Sequence, residues 1–162
     1  MRVKGIVDED FVNYRKPSMF ISTCTCDFKC CREQGLDILI CQNSELMNQP
    51  VIDLPDEEIY KRYVSNDITS AVVIGGLEPI NQLEEVVSLI KYFRKHDCRC
   101  PFVIYTGYEP KEIERQVRLI TITGRYSIYF KFGRFIPGHE PHYDEVLGVK
   151  LASDNQRGVR MC

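Results

Sequence analysis

The sequence has no run of clustered Lys or Arg. Its 21 basic residues are scattered among 23 acidic ones for a formal charge of −2, so the electrostatic footprint of a nucleic-acid or anionic-membrane binder is missing. No segment approaches the roughly 20 apolar residues that a spanning helix needs. The amino-terminal MRVKGIVDEDF has no apolar core of signal-peptide length. These absences lead to the expectation of a soluble, cytoplasmic protein whose partners are proteins or small molecules. Repeats and low-complexity tracts are absent too. A length of 162 residues with 44% hydrophobic content suits one domain, 1–162, with a real core and little room for a second. Ser-His-Asp and metal-hydrolase constellations are also missing. His96 reads as a helix cap, while His139 and His142 stand in a proline turn with Glu140 and Asp144, where polar residues collect as solvated loop rather than as a second metal site.

What is abundant is cysteine. Five of the eight, Cys24, Cys26, Cys30, Cys31 and Cys41, crowd into one segment. A chain of this length without an export signal has little need of disulfide staples, and clustered cytosolic thiols hold metal or do chemistry. Zinc would want paired C-x2-C knuckles or a nearby His, and this segment has neither. Iron–sulfur clusters take thiolate ligands from closely spaced cysteines on one loop, which is what the segment offers. Spacing alone leaves the ligand set open among the five. Cys98 and Cys100 read as a buried and a surface thiol on a strand edge, since a buried free cysteine behaves as a small hydrophobe.

Elsewhere the pattern is of strands alternating with helices. Ser18 to Ser22 is a short buried strand leading into the cysteine loop, which runs to about Asn43. Pro55 and the acidic residues after it open a helix with Ile59, Tyr60, Tyr63 and Val64 on its apolar face. Ala71 to Ile74 is a continuous apolar strand that stops at Gly75-Gly76. A helix from about Asn81 to His96 carries Leu83, Val86, Val87, Ile90 and Phe93 in one stripe. Pro101 to Tyr105 is another buried strand, stopped by Thr106-Gly107, and a helix starts at Pro110. The last third reads as an alternating strand in YSIYFKFGRF, a turn-rich connection, and a final strand or tail. The alternation predicts an α/β fold with a mostly parallel sheet. Ligands then sit beyond the carboxyl ends of the strands, so the cysteine loop, Gly75-Gly76 and Thr106-Gly107 are expected at one edge.

Four segments together resemble the radical S-adenosylmethionine enzymes, and among them the small activating proteins of anaerobic (class III) ribonucleotide reductase. Cys26-Asp27-Phe28-Lys29-Cys30 matches the first half of that family's C-x3-C-x2-C. Glu33 stands where the third cysteine belongs, and Cys41-Gln42-Asn43 looks like the third ligand and its Asn displaced by an insertion, giving C-x3-C-x10-C. Cys31 competes with Cys41, but adjacent ligands on one cluster strain the geometry; Cys24 is the third choice. Gly75-Gly76-Leu77-Glu78-Pro79 resembles the family's GG(D/E)P segment, Tyr105-Thr106-Gly107-Tyr108 its YTGY segment, and Gly148 to Arg157 its closing G-S-x-N-Q-R element.

The resemblance implies an incomplete, open (β/α) barrel of mostly parallel strands. It also implies a [4Fe–4S] cluster on Cys26, Cys30 and Cys41 and an S-adenosylmethionine site involving Asn43, Gly75, Gly76, Glu78, Thr106, Gly107, Ser153 and Asn155. The implied reaction is reductive cleavage of S-adenosylmethionine to a 5′-deoxyadenosyl radical, which takes a hydrogen atom from a glycine of a partner glycyl-radical enzyme, the large subunit of anaerobic ribonucleotide reductase. A flavodoxin- or ferredoxin-like protein would supply electrons. The chain is too short to close a barrel of about 250 residues, which leaves one side of the site open to a partner's loop. Two other readings are a radical enzyme acting on a small metabolite or nucleoside, and a non-enzymatic iron–sulfur electron carrier using four cysteines.

Overall fold

In chain order the computed structural model, which describes residues 1–162, contains β1 (Arg2–Val3), β2 (Gly5–Asp10), β3 (Ser18–Thr23), α1 (Lys29–Glu33), β4 (Ile52–Asp53), α2 (Asp56–Val64), β5 (Ala71–Gly76), α3 (Leu83–Lys95), β6 (Phe102–Tyr105), α4 (Glu114–Gly124), β7 (Ile128–Phe132), β8 (His142–Asp144), β9 (Val149–Leu151) and β10 (Arg157–Arg160). Six strands form the central sheet in the order β10-β7-β6-β5-β3-β2. The four inner neighbours β3, β5, β6 and β7 are parallel, and the outer strands β2 and β10 are antiparallel to theirs. The fold is therefore mixed α/β with a largely parallel sheet, as the alternation predicts.

Period-2 alternation sends the side chains of each inner strand to two different layers. Met19, Ile21, Val72, Ile74, Phe102, Ile104, Ile128 and Phe130 face Ile59 and Tyr63 of α2, the α3 stripe, and Val117 and Ile120 of α4. Ala71, Val73 and Val103 face the opposite way, against Tyr14 and against Leu147, Val149 and Leu151 of the β8–β9 hairpin. All the covering helices thus lie on one face, while a loop and a hairpin close the other.

Several expectations need correction. Strand β2 is not foreseen by the sequence reading, because GIVDED sets one apolar face residue (Ile6 with Ile21) among three acidic ones, of which Glu9 is exposed and Asp10 buried, the composition of a protected edge strand. Val64 is exposed and Tyr60 only half-buried, so α2 rests on Ile59 and Tyr63. A single 3-10 turn (Pro79–Gln82) precedes α3, and another (Pro110–Glu112) precedes α4. Strand β7 is buried on nearly every residue rather than alternating, because it has neighbours on both sides and layers on both faces. The expected turn-rich connection contains β8, and the expected tail forms two strands, β9 and β10. No helix is long and apolar enough to cross a membrane.

Phe93 is fully buried and meets Tyr60 and Phe102 edge-on at ring-centroid distances of 5.0 and 5.2 Å. Truncation leaves a void that three elements cannot collapse at once, so Phe93→Ala should lower unfolding stability by about 3–5 kcal/mol in urea denaturation. A loss below about 1 kcal/mol would mean that the layer repacks freely.

Candidate metal centre

Because the four inner strands run in parallel, their carboxyl ends share one edge. The register sets Thr23 beside Gly76 and Tyr105 beside Lys131. Beyond this edge lies a cavity of about 640 Å³ whose wall includes Cys26, Cys30 and Cys41. Asn43, Gly76, Glu78, Thr106 and Gly107 line the same cavity. Gly76 has a φ of 78°, and a Cβ there would stand 3.2 Å from Ser22 Cα, so glycine is needed both for the turn and for the close approach of backbone to the cavity.

Glu78 is the most heavily bonded side chain at this edge. Its Oε1 accepts from Thr106 Oγ1 at 2.8 Å and Ile80 N at 3.1 Å, and its Oε2 accepts from Gly107 N at 2.9 Å. Its own N–H donates to Thr25 O at 2.9 Å, joining the cysteine segment to the ends of β5 and β6. Burial pushes its carboxyl up; the three donors and the charge of Lys131 pull it back.

The cysteine segment is folded by short-range contacts. Phe28 takes a left-handed conformation (φ 52°) ahead of α1, and its N–H donates to Cys26 Sγ at 3.3 Å. The amide dipoles of Asn43 and Cys31 favour the thiolates of Cys41 and Cys30 in the same sense, while the Cys31 N–H itself bonds to Phe28 O at 3.0 Å. Burial pushes Cys26 up to about 12, Cys30 up to about 11, and Cys41 in the same direction, so these thiols hold their protons until a metal displaces them. An ionic clasp fixes α1: Lys29 Nζ lies 2.6 Å from Glu112 Oε1, and Arg134 reaches Glu112 at 2.8 and 2.9 Å and Glu33 at 2.7 Å. Paired chiefly with Arg134, the Glu112 carboxyl falls to about 2.

The other two loop cysteines lie elsewhere. Cys31 is buried on the inner side of α1, its sulfur 3.9 Å from that of Cys30, and it does not line the cavity. Cys24 is near Arg2 and Glu85, and its N–H bonds to Gln82. Gly75 is packed behind the wall, where a Cβ would meet Tyr105 and Phe20 at 3.1 and 3.3 Å. Ser153 and Asn155 also stand behind it, both donating to Arg134 O, at 3.4 and 2.9 Å. His139 pairs with Asp154 at 2.6 Å. Cys98 and Cys100 are both half-buried in the loop before β6, not one buried and one exposed on a strand, because Pro101 delays the strand start. No group of three His, Cys, Asp or Glu side chains meets closely enough to hold a single metal ion.

Sequence reasoning missed Lys131. It is buried in the cavity wall, donates to Gly133 O at 2.9 Å, and has no carboxylate within ion-pair distance. Burial lowers its ammonium to about 8. The available signal was a lysine inside the apolar run IYFKF, at the same strand end as the two glycine turns. Arg134 and Gln156 were missed as well; Gln156 organises the closing turn by accepting from Ala152 N and Ser153 N.

Compared with known proteins, residues 14–132 match the family described as the 4Fe-4S single cluster domain. The chain belongs to the 4Fe-4S single cluster domain family. No curated protein and no solved structure matches it. The matched span covers the cysteine segment and all four parallel strands, so this is an iron–sulfur protein. The donor set fits: three half-buried thiols, one of them already accepting the N–H of Phe28, bound one cavity without converging on one point. A cube spreads its thiolates farther apart than a single ion does, and hydrogen bonds to the sulfurs tune it.

Replacing Glu78 tests the knot at this edge. In Glu78→Gln one oxygen becomes an amide NH2, which faces either the N–H of Ile80 or that of Gly107, so one buried donor loses its acceptor. Urea denaturation should show a loss of about 1–3 kcal/mol; unchanged stability would mean that the carboxylate is dispensable to the fold.

Proposed function

We propose that this iron–sulfur protein is a radical S-adenosylmethionine activating enzyme, its [4Fe–4S] cluster held by Cys26, Cys30 and Cys41. The observation that carries the reading is the composition of one cavity: three cysteines and no fourth, facing the turns at Gly76 and Thr106-Gly107. A cluster so held keeps one iron free of protein ligands and would supply both the coordination point and the electron for reductive cleavage of S-adenosylmethionine to methionine and a 5′-deoxyadenosyl radical.

The chain's own residues supply binding and order. The half-buried backbone at Gly76 and Gly107, together with the Asn43 side chain, lines the cavity where the amino acid portion of the cofactor would sit. Lys131 puts a positive charge in the wall toward an anionic ligand. Ser153 and Asn155 act from behind by holding the backbone of Arg134, and Gly75 keeps the floor thin. Glu78 positions Thr106 and Gly107 rather than offering a free carboxylate.

The sheet is read as an open (β/α) barrel because β3, β5, β6 and β7 follow one another in space as in sequence, with helices on one face. An open rim suits a macromolecular substrate. The partner in this reading is a glycyl-radical enzyme, the large subunit of anaerobic ribonucleotide reductase, with a flavodoxin- or ferredoxin-like electron donor, in the cytoplasm. A closed four-cysteine carrier is disfavoured because Cys24 lies beside Arg2 and Glu85 and away from the cavity.

After anaerobic reconstitution with iron and sulfide, the wild-type protein and Cys24→Ala should retain a full cluster, whereas Cys26→Ala, Cys30→Ala and Cys41→Ala should each lose most of theirs. With dithionite and S-adenosylmethionine the loaded wild type should release 5′-deoxyadenosine. Loss of cluster in Cys31→Ala but not Cys41→Ala would transfer the third ligand to Cys31. A loaded protein that releases no 5′-deoxyadenosine would contradict the radical reading.

A further inference from the structure

At the opposite end of the sheet, the loop between α3 and β6 carries two cysteines with one residue between them. Helix α3 ends at Lys95, and Asp97 turns the chain through a left-handed conformation (φ 55°), with Cys98 N bonded back to Phe93 O at 3.1 Å. Arg94 then fastens the loop. Its Nη1 donates to Cys98 O at 2.6 Å, and its Nη2 donates to Cys100 O at 3.0 Å and to Tyr126 O at 2.8 Å. Both cysteines are half-buried and lie against the main core, while Asp97 and Arg99 on either side of Cys98 are exposed. Both side chains are thereby held on one short, clamped loop, with Cys98 reachable from solvent.

We propose that Cys98 and Cys100 form a dithiol that exchanges with disulfides, a second redox site separate from the metal centre. The Cys98 thiolate attacks one sulfur of an incoming disulfide, a bond forms between them, and one thiol of that disulfide leaves. Cys100 then loses its proton and attacks Cys98 in the mixed disulfide, which releases the second thiol and leaves a Cys98–Cys100 disulfide. The two cysteines lose two electrons and two protons, and the incoming disulfide becomes two thiols.

The electrostatics suit these roles. The neighbouring Cys100 and the charge of Arg94 bring the Cys98 thiol down to about 6, while Cys98 and burial push Cys100 upward. A thiol ionised near neutrality is the attacking member of such a pair, and the protonated one is the resolving member. Cys100 packs against the same core cluster that holds Tyr63 and Phe93. Nothing in this chemistry draws on the cluster, since the loop precedes β6 and the cavity lies beyond the other end of that strand.

The test uses the full-length protein under anaerobic conditions, wild type, Cys98→Ser and Cys100→Ser, each treated with oxidised glutathione in one arm and with oxidised thioredoxin in another. Remaining thiols are then alkylated and the peptides mapped by mass spectrometry, with cluster absorbance read in parallel. In wild type a Cys98–Cys100 disulfide should form, Cys100→Ser should trap a stable mixed disulfide on Cys98, and Cys98→Ser should react at least tenfold more slowly at this loop. Cluster absorbance should be unchanged. Reaction in only one arm assigns the disulfide source to small molecules or to proteins. Alkylated Cys98 and Cys100 in both arms, or a mixed disulfide on wild-type Cys98 that never resolves, would overturn the proposal whatever the fate of the radical reading.

Discussion

The buried carboxylate of Glu78 is the interaction on which the site depends. An unpaired carboxylate in this position would cost several kcal/mol, so its neighbours are constrained: the hydroxyl of Thr106 and the backbones of Gly107 and Ile80 must all point at it. Those constraints hold the ends of β5 and β6 in one fixed relation, and the N–H of Glu78 extends the same order to the cysteine segment through Thr25. Lys131, one strand further along, supplies a compensating positive charge while itself losing affinity for its proton through burial. The metal centre is thus mounted on a tied strand edge rather than on a loose loop. The clasp of Lys29, Glu33, Glu112 and Arg134 repeats the arrangement from the side of α1.

The parallel centre was legible because parallel strands buried on both faces are written as unbroken apolar runs, and AVVI and FVIY are such runs. From strand order alone it also followed that the cysteine segment and the two glycine turns share an edge, and they do. Elements held by few apolar residues were not legible. Strand β2 buries little beyond Ile6 and Asp10, and the β8–β9 hairpin shares the cover of one sheet face with Tyr14 through only Leu147, Val149 and Leu151. The inward turn of Glu78 was hidden because an acidic residue after a glycine pair reads as ligand contact, and only the three donors around it reveal a structural tie. Lys131 was hidden for the converse reason: a lysine in an apolar strand reads as snorkelling until its burial is known.

The two ends of the sheet carry different sulfur chemistry. At the carboxyl ends burial pushes three thiols up, and the Phe28 N–H on Cys26 suits a cluster's sulfur. At the amino ends the neighbouring Cys100 and the charge of Arg94 lower the thiol of Cys98 instead. The same residue type is directed to metal binding or to exchange by what surrounds it: cavity and amide donors in one case, a guanidinium and a neighbouring thiol in the other.

In the proposed function, three cysteines leave one iron of the cluster open to S-adenosylmethionine. Mössbauer spectroscopy of protein reconstituted with ⁵⁷Fe, recorded with and without S-adenosylmethionine, tests it directly. One iron in four should change its isomer shift and quadrupole splitting on addition, while the other three stay as they were. Four irons that remain equivalent and unchanged would contradict it and leave a cluster fully closed by the protein.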